Sequence, residues 1–329
     1  MNIKKNAICV IAPRKGMGDC VSFFGIFKTI NKYSKKKIIL VTVENTSAKK
    51  IFKHEKIFKK IIYFEQSNKN YFNVILSYLK IFRALSLVKS QGVNEVIILH
   101  QSIKYILISK ILGFKTIEAP GQKFQRFFLR KNRVYKNFST QKLSPIDESK
   151  YLVKKIFSVS NIENNNFIFN LKKRKKYVAI AIATSGPEKF WTLDNYIRVI
   201  DYFFQRGFKY FLLLSGKNQS VLESNICNSF SLKNINFIKT SNLTIEKIIP
   251  YLKETKIYFG NDTGFSHLTA GYQIPSIVIY GNCEPFNDYS KFIYPIVPKN
   301  KIFTNNSIKK IPYDHVKNNI QIFQKKILF

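Results

Sequence analysis

Acidic side chains are scarce in this chain: 19 Asp plus Glu face 55 Lys plus Arg over 329 residues, a formal charge of +36. So few carboxylates exclude an acidic or cation-storing surface and leave one that attracts phosphates, nucleic acid or an anionic membrane. Part of the lysine excess has a plainer source, because Lys, Asn, Ile and Phe all have A/T-rich codons. No RNP-like stretch, zinc spacing or DNA-reading motif accompanies the lysines, so no nucleic-acid partner is expected and anionic lipid is favoured. Cysteine is sparse too. Cys9, Cys20, Cys227 and Cys283 are scattered without a CxxC pair, which excludes a disulfide framework and suggests reduced thiols of a cytosolic protein. No run of about 18 apolar residues is present, so no membrane-spanning helix is expected. The first apolar run, 7–12, is shorter than a signal-peptide core and ends in Pro-Arg-Lys. An Asp-x-Asp pair and a His/Asp/Glu cluster with metal spacing are both missing, so no metal ligands are expected.

Apolar residues are plentiful, at 45% with 15% aromatics, enough for two cores of about 150 residues each. Short apolar runs at 7–12, 37–43, 60–64 and 95–100 read as buried parallel strands. Amphipathic segments near 18–33, 46–58 and 71–90 separate them. A polar, then strongly basic stretch at 160–176 reads as a linker. The pattern restarts with strands at 177–183, 209–215, 256–260 and 276–280. Helices near 192–206, 217–229, 244–253 and 264–273 lie between them, and a last amphipathic helix spans 312–327. The expected architecture is α/β: a first domain over 1–165 and a second over 166–329, each a doubly wound Rossmann-like sheet. The tail helix is available to pack back on the first domain. In such sheets ligands sit beyond the C-terminal ends of the strands.

Three stretches sit at those strand ends. The first, "APRKGMGDC" (12–20), places Gly16 and Gly18 where the backbone can turn sharply and approach a ligand. A dinucleotide reading, with Glu44 holding a ribose, fails because Val21 stands at the third glycine position. Asp19 at the helix start reads equally well as a cap and as a general base; a helix N-terminus favours its charged form and so weakens it as a base. Arg14 and Lys15 read either as phosphate-holding groups or as solvated charges.

The second stretch, 184–200, carries Lys189 and Trp191 ahead of a helix with Thr192 as its expected N-cap. Lysines are mostly surface groups, but the position of Lys189 at the ligand edge raises its claim; Trp191 is expected to pack rather than stack on a ligand. The third stretch, "GNDTGFSHL" (260–268), turns through Asn261, Asp262, Thr263 and Gly264. The free N–H groups of Gly264, Phe265, Ser266 and His267 would then face an anion such as a diphosphate. His267 reads equally as a packing residue. Asp262 beside a diphosphate suits loop orientation or contact with a sugar hydroxyl.

Together these segments resemble glycosyltransferase family nine, the ADP-heptose:lipopolysaccharide heptosyltransferases. The likeness rests on "KGMGD" (15–19), "EKFW" (188–191), "GNDTGFSHLTA" (260–270) running into "IPSIVIYGNCEP" (274–285), and "IDESKYLVKKI" (146–156). It implies a GT-B fold, two Rossmann-like domains facing each other across a cleft, with the acceptor on the N-terminal domain and the nucleotide-sugar on the C-terminal one. It implies inverting, metal-independent transfer without a cofactor, nucleotide-sugar (ADP-heptose) being the substrate. Asp19 matches the family's base, Lys189 the lysine at the donor phosphate, and Thr263 to Ser266 the phosphate-cradling helix start. Lys217 and Asn218 stand where an acidic ribose-holding residue is usual, with Glu223 further on, and Cys283 replaces a usual Thr or Ser.

The expected function is heptose or related-sugar transfer to a phosphorylated glycolipid of the lipopolysaccharide type. The expected location is the cytoplasm, peripheral to the inner membrane. Arg14, Lys15, Gly16 and Gly18 are the expected acceptor contacts; Asp262 to His267 are the expected donor contacts. The rival is a non-catalytic glycan- or anionic-membrane-binding protein on the same fold.

Overall fold

The computed structural model of the protein describes residues 6–65, 71–129, 143–167, 176–184, 186–285 and 289–328. It divides into two compact units, Met1–Asn165 and Asn166–Phe329.

In the first unit, apolar five- to seven-residue runs form β1 (Ala7–Ile11), β2 (Lys37–Val43) and β3 (Phe58–Phe64), followed by β4 (Glu95–Ile98) and β5 (Thr116–Glu118). All pair in parallel in the order β3-β2-β1-β4-β5. The crossovers are α1 (Met17–Ser22), α2 (Phe24–Ser34), α3 (Ala48–Ile51), α4 (Tyr71–Lys89) and α5 (Lys104–Ile111), and α6 (Pro145–Phe157) ends the unit. The single helix expected over 18–33 is two, stepping at Phe23. That expected over 46–58 shrinks to α3 after a 3-10 turn at Glu44–Thr46. β1 is buried along its whole length, as a strand covered on both faces must be. Asn165, at the unit's end, is buried; it accepts from Gly25 N–H at 2.7 Å and donates to Ser22 O at 2.7 Å. The linker expected at 160–176 is therefore anchored at Asn165, while 168–175, with most of the basic run, lies outside the described residues.

The second unit repeats the plan with β6 (Tyr177–Ala181), α7 (Leu193–Phe204), β7 (Tyr210–Leu214), α8 (Ser220–Asn228) and β8 (Asn236–Lys239). After them come α9 (Ile245–Lys253), β9 (Thr255–Asn261), α10 (Gly264–Gly271), β10 (Ser276–Ile279), β11 (Ile293–Ile296) and α11 (Tyr313–Leu328). The sheet order is β11-β10-β9-β6-β7-β8, again all parallel. Sequence patterning misses β8 and β11 because both are edge strands: β8 is half-exposed without an apolar run, and β11 contains Pro295, which only an edge tolerates. Val316 and Ile320 of α11 lie in this unit's core, and Gln324 accepts from the Tyr202 hydroxyl at 2.9 Å. The tail helix thus belongs to the second sheet.

β9 and β6 approach closely at Gly260, where an added Cβ would stand 2.5 Å from the Ala181 carbonyl oxygen. Gly260→Ala must push two central strands apart, so it is expected to lose about 2–3 kcal/mol, measured as a lowered urea midpoint with an unchanged slope.

Candidate functional site

In the first unit the chain leaves β1 through Ala12 to Gly16 and enters α1. Gly16 is the N-cap in extended conformation (φ −136°) and makes no side-chain cap. A Cβ there would meet only Asp19 Oδ2, at 3.8 Å. The expected sharp glycine turn is therefore not present: neither Gly16 nor Gly18 has left-handed backbone. What glycine leaves at position 16 is room.

Asp19 falls on the first turn of α1, exposed, and its carboxylate makes no hydrogen bond among the described residues. It complements the helix dipole without capping it, so its oxygens remain available. Arg14 is not the solvated charge its neighbourhood suggests. Its guanidinium lies 4.0 Å from the centre of the Phe23 ring and donates from Nη2 to Leu99 O at 2.8 Å. Burial pushes its pKa down to about 10, while the Asp19 and Glu148 carboxylates pull it back up. Lys15 is exposed.

Beside Arg14 stands a polar group that sequence patterning does not single out. His100 follows β4, and its Nδ1 accepts from Ser102 N–H at 3.0 Å. Gln125 donates to His100 O at 2.9 Å, and the buried Glu148 accepts from Gln101 at 2.6 Å and from Gln122. These residues are spread over three chain segments, so no local spacing reveals them. Burial, then the Arg14 and Lys104 charges, depress the His100 pKa to about 4.

In the second unit the β9–α10 turn carries the other expected residues. Thr263 is the N-cap: its side chain accepts from Phe265 N–H at 3.3 Å, and Ser266 Oγ accepts from Thr263 N–H at 3.3 Å. Ser266 N–H donates to Thr263 O at 3.1 Å. Of the four N–H groups expected to be free, those of Phe265 and Ser266 are thus already used by the cap. The Gly264 N–H has no partner among the described residues. Below the turn Asn261 is buried, accepting from the Tyr196 hydroxyl at 2.6 Å, and its backbone carbonyl accepts from Tyr258 at 3.1 Å.

His267 links two side chains. Its Nε2 lies 3.2 Å from Asp262 Oδ1. Its Nδ1 meets the Tyr289 hydroxyl, and the two rings stack at 5.6 Å. Burial and the Asp262 charge push the Tyr289 pKa well above its ordinary value. The tyrosine therefore stays protonated and donates to Nδ1, while the buried Asp262 Oδ1 makes no hydrogen bond among the described residues. Tyr289 is 22 residues from His267 in a segment without periodicity, and the sequence gives no sign of it.

Lys189 ends a 3-10 turn (Pro187–Lys189) and is exposed. Asn282 Nδ2 contacts Glu188 O at 3.5 Å, and Cys283 Sγ lies 4.0 Å from Asp262 Oδ2. Burial and then Asp262 raise the Cys283 pKa, and Lys189 opposes them. Lys189 and Asp262, far apart in sequence, thus both act electrostatically on the same thiol, with opposite sign. Trp191 is fully buried and donates from Nε1 to Ile311 O at 2.9 Å, a packing role. Thr192 takes the N-cap position of α7 without a side-chain cap.

Glu223 is buried: one oxygen accepts from Ser215 Oγ, Thr240 N–H (2.7 Å) and Ser241 N–H (3.0 Å), and the other from Ser241 Oγ (2.6 Å). It ties the ends of β7 and β8 together and is not free to hold a ribose. Lys217 and Asn218 are exposed nearby in sequence. Among the described residues no group of three or more His, Cys, Asp or Glu is disposed to hold a metal ion.

Residues 127–321 match the family model of glycosyltransferase family 9 (heptosyltransferase). The chain belongs to glycosyltransferase family 9. No curated protein matches it by sequence. Among solved structures, a family 9 glycosyl transferase from Veillonella parvula aligns with a TM-score of 0.77 at 14% identity, covering 98% of this chain and 97% of that one. E. coli heptosyltransferase WaaC with ADP aligns at 0.74 and 15% identity, covering 98% and 99%. E. coli ADP-heptose lps heptosyltransferase II aligns at 0.73 and 12%, covering 97% and 99%. At such identities the likeness carries the fold, which is GT-B. As a family 9 member the protein is a glycosyltransferase, and its two parallel sheets are the two Rossmann-like halves of that fold.

His100 supplies a pH test of the first half. Folded, it stays neutral down to about pH 4; unfolded, it takes up a proton near its ordinary 6.5. Between those values the unfolded chain binds more protons, so stability falls as pH drops through the window, by about 3 kcal/mol in full. Urea midpoints measured across this range are expected to fall in the wild type and to flatten in His100→Gln.

Proposed function

We propose that this glycosyltransferase moves heptose, or a closely related sugar, from a nucleoside-diphosphate donor to a lipopolysaccharide- or lipooligosaccharide-type acceptor. ADP-heptose is the donor of choice: E. coli WaaC has been solved with ADP and with ADP-2-deoxy-2-fluoro heptose. The observation that carries the reading is the start of α10, whose Gly264 N–H is open and whose neighbour Cys283 feels the charges of both Asp262 and Lys189. A lysine, an open Gly264 N–H and a helix N-terminus together suit a leaving diphosphate. Asp262, oriented through His267, suits the sugar hydroxyls.

Asp19 is the general base. Its exposed carboxylate takes the proton of an acceptor hydroxyl as that oxygen bonds to the anomeric carbon. The bond from that carbon to the diphosphate oxygen breaks, its electron pair leaving with the nucleoside diphosphate. One displacement inverts the anomeric centre, and fixed donors meet the developing charge without a metal or cofactor. Arg14, held by Leu99 and Phe23, is a preorganised cation for an acceptor phosphate, and Lys15 a mobile one; Gly16 and Gly18 leave space for the acceptor. In this reading the N-terminal unit binds acceptor and the C-terminal unit binds donor. The basic chain works at the cytoplasmic face of the inner membrane; no helix among the described residues is long and apolar enough to cross a bilayer.

Asp19→Asn tests the assignment. It is expected to bind ADP-heptose as the wild type does, with turnover reduced roughly 10²–10⁴-fold, the usual contribution of a positioned base. Calorimetry and single-turnover assays read the two quantities separately. Equal turnover in both proteins would remove Asp19 from the mechanism.

A further inference from the structure

α4 carries two apolar stripes, about 120° apart around its axis. Ile81, Ala84, Leu85 and Val88, at spacing i, i+3, i+4, i+7, are buried in the core of the first unit. Ile75, Tyr78, Leu79 and Phe82 follow the same spacing in the second stripe and are exposed, Ile75 by 61% and Leu79 by 49%. A helix covering one core needs one such stripe; the second contributes nothing to folding in water. Exposed apolar surface of this extent marks an interaction site.

The stripe has a neighbour. Lys104, at the start of α5, donates to Ser77 Oγ on the second turn of α4 at 3.3 Å. Two residues earlier, Ser102 O accepts from Gln125 at 3.3 Å, within a 3-10 turn over Lys123–Phe127. That turn exposes Phe124 by 69% and Phe127 by 68%, with the Arg126 guanidinium over the Phe127 ring. Both apolar sets therefore border the start of α5, at the C-terminal edge of the first sheet, where β4 ends and Arg14 is anchored.

The charge around them has one sign. α4, α5 and the 123–127 turn carry Lys80, Arg83, Lys89, Lys104, Lys110, Lys123 and Arg126 and not one Asp or Glu. Lys80 pairs with Glu65 from outside these elements. A protein partner covering such a patch would need matching carboxylates set among apolar pockets. A bilayer with anionic headgroups meets both demands at once: aromatic and aliphatic side chains enter the interface, and cations lie over the headgroups.

We propose that the outer face of α4 and the 123–127 turn are the surface by which the protein sits on an anionic membrane. Docked this way, the edge of the sheet that carries Asp19 faces the bilayer, where the sugar of a lipid-anchored acceptor is presented. The inference rests on the glycolipid-transferase reading for its purpose, but its evidence is the surface itself.

The test is co-sedimentation of the full chain with vesicles of phosphatidylcholine alone or mixed with phosphatidylglycerol. The wild type is expected to partition onto the mixed vesicles, more weakly as salt rises. Leu79→Ser/Phe82→Ser and Phe124→Ser/Phe127→Ser each remove exposed groups only and are expected to weaken partitioning roughly tenfold. Their thermal midpoints and ADP affinities should match the wild type. Variants that sediment with the mixed vesicles as well as the wild type overturn the assignment. So does a wild-type dimer that the same substitutions dissociate, since the patch would then be covered by a second copy. Loss of ADP binding in the wild type, with vesicle binding intact, would instead count against the transferase reading alone.

Discussion

Parallel pairing around two central strands is the constraint on which the rest depends. β1 is held between β2 and β4, and β9 between β6 and β10, so each is fixed from both sides and buried on both faces. Every strand in each sheet points the same way, and every turn into a following helix opens on one edge. Within each sheet, the turns that leave its strands deliver the residues singled out above to that sheet's own C-terminal edge. Asp19 is delivered by the turn after β1, Thr263 and His267 by the turn after β9, and Lys189 by the turn after β6. The Gly260 contact with Ala181 shows how tightly β9 is seated.

On that scaffold the two halves spend their polar groups differently. The first leaves a carboxylate free: the Asp19 side chain makes no hydrogen bond among the described residues, while the nearby Arg14 is packed and anchored. The second commits almost everything. Thr263 and Ser266 cap each other, Glu223 locks two strand ends, and His267 is held between Tyr289 and Asp262. In the proposed transfer, this free carboxylate beside a fixed cation is the acceptor's side of the reaction. In the same proposal, the rigid turn with its one open N–H, at Gly264, is the side that receives the departing diphosphate.

Much of this was legible in the sequence, for identifiable reasons. Buried parallel strands are continuous apolar runs, so eight of the eleven described strands show in the pattern, and the helix start at 264 is announced by Asn-Asp-Thr-Gly. What stayed hidden depends on distant contacts. β5, β8 and β11 are short or edge strands whose burial comes from neighbours. The turn at Gly16 looked like a glycine requirement, but the backbone there is ordinary extended chain. Free N–H groups were expected at four positions of α10, and the Thr263 cap takes two of them. The partners of Glu223 and of Tyr289 could not be read, because they lie on other segments. The outer stripe of α4 was present in the sequence as apolar periodicity, but only burial separates the face that packs from the face that does not.

The central claim is that the start of α10, with Lys189, binds the diphosphate of the donor. Calorimetric titration of wild type and Lys189→Ala with ADP and with AMP tests it most directly. The account requires ADP to bind at least about tenfold more tightly than AMP, a difference of roughly 1.4 kcal/mol or more, and requires most of that preference to vanish in Lys189→Ala. Equal affinity for the two nucleotides, or an ADP preference that survives the loss of the lysine, would contradict it.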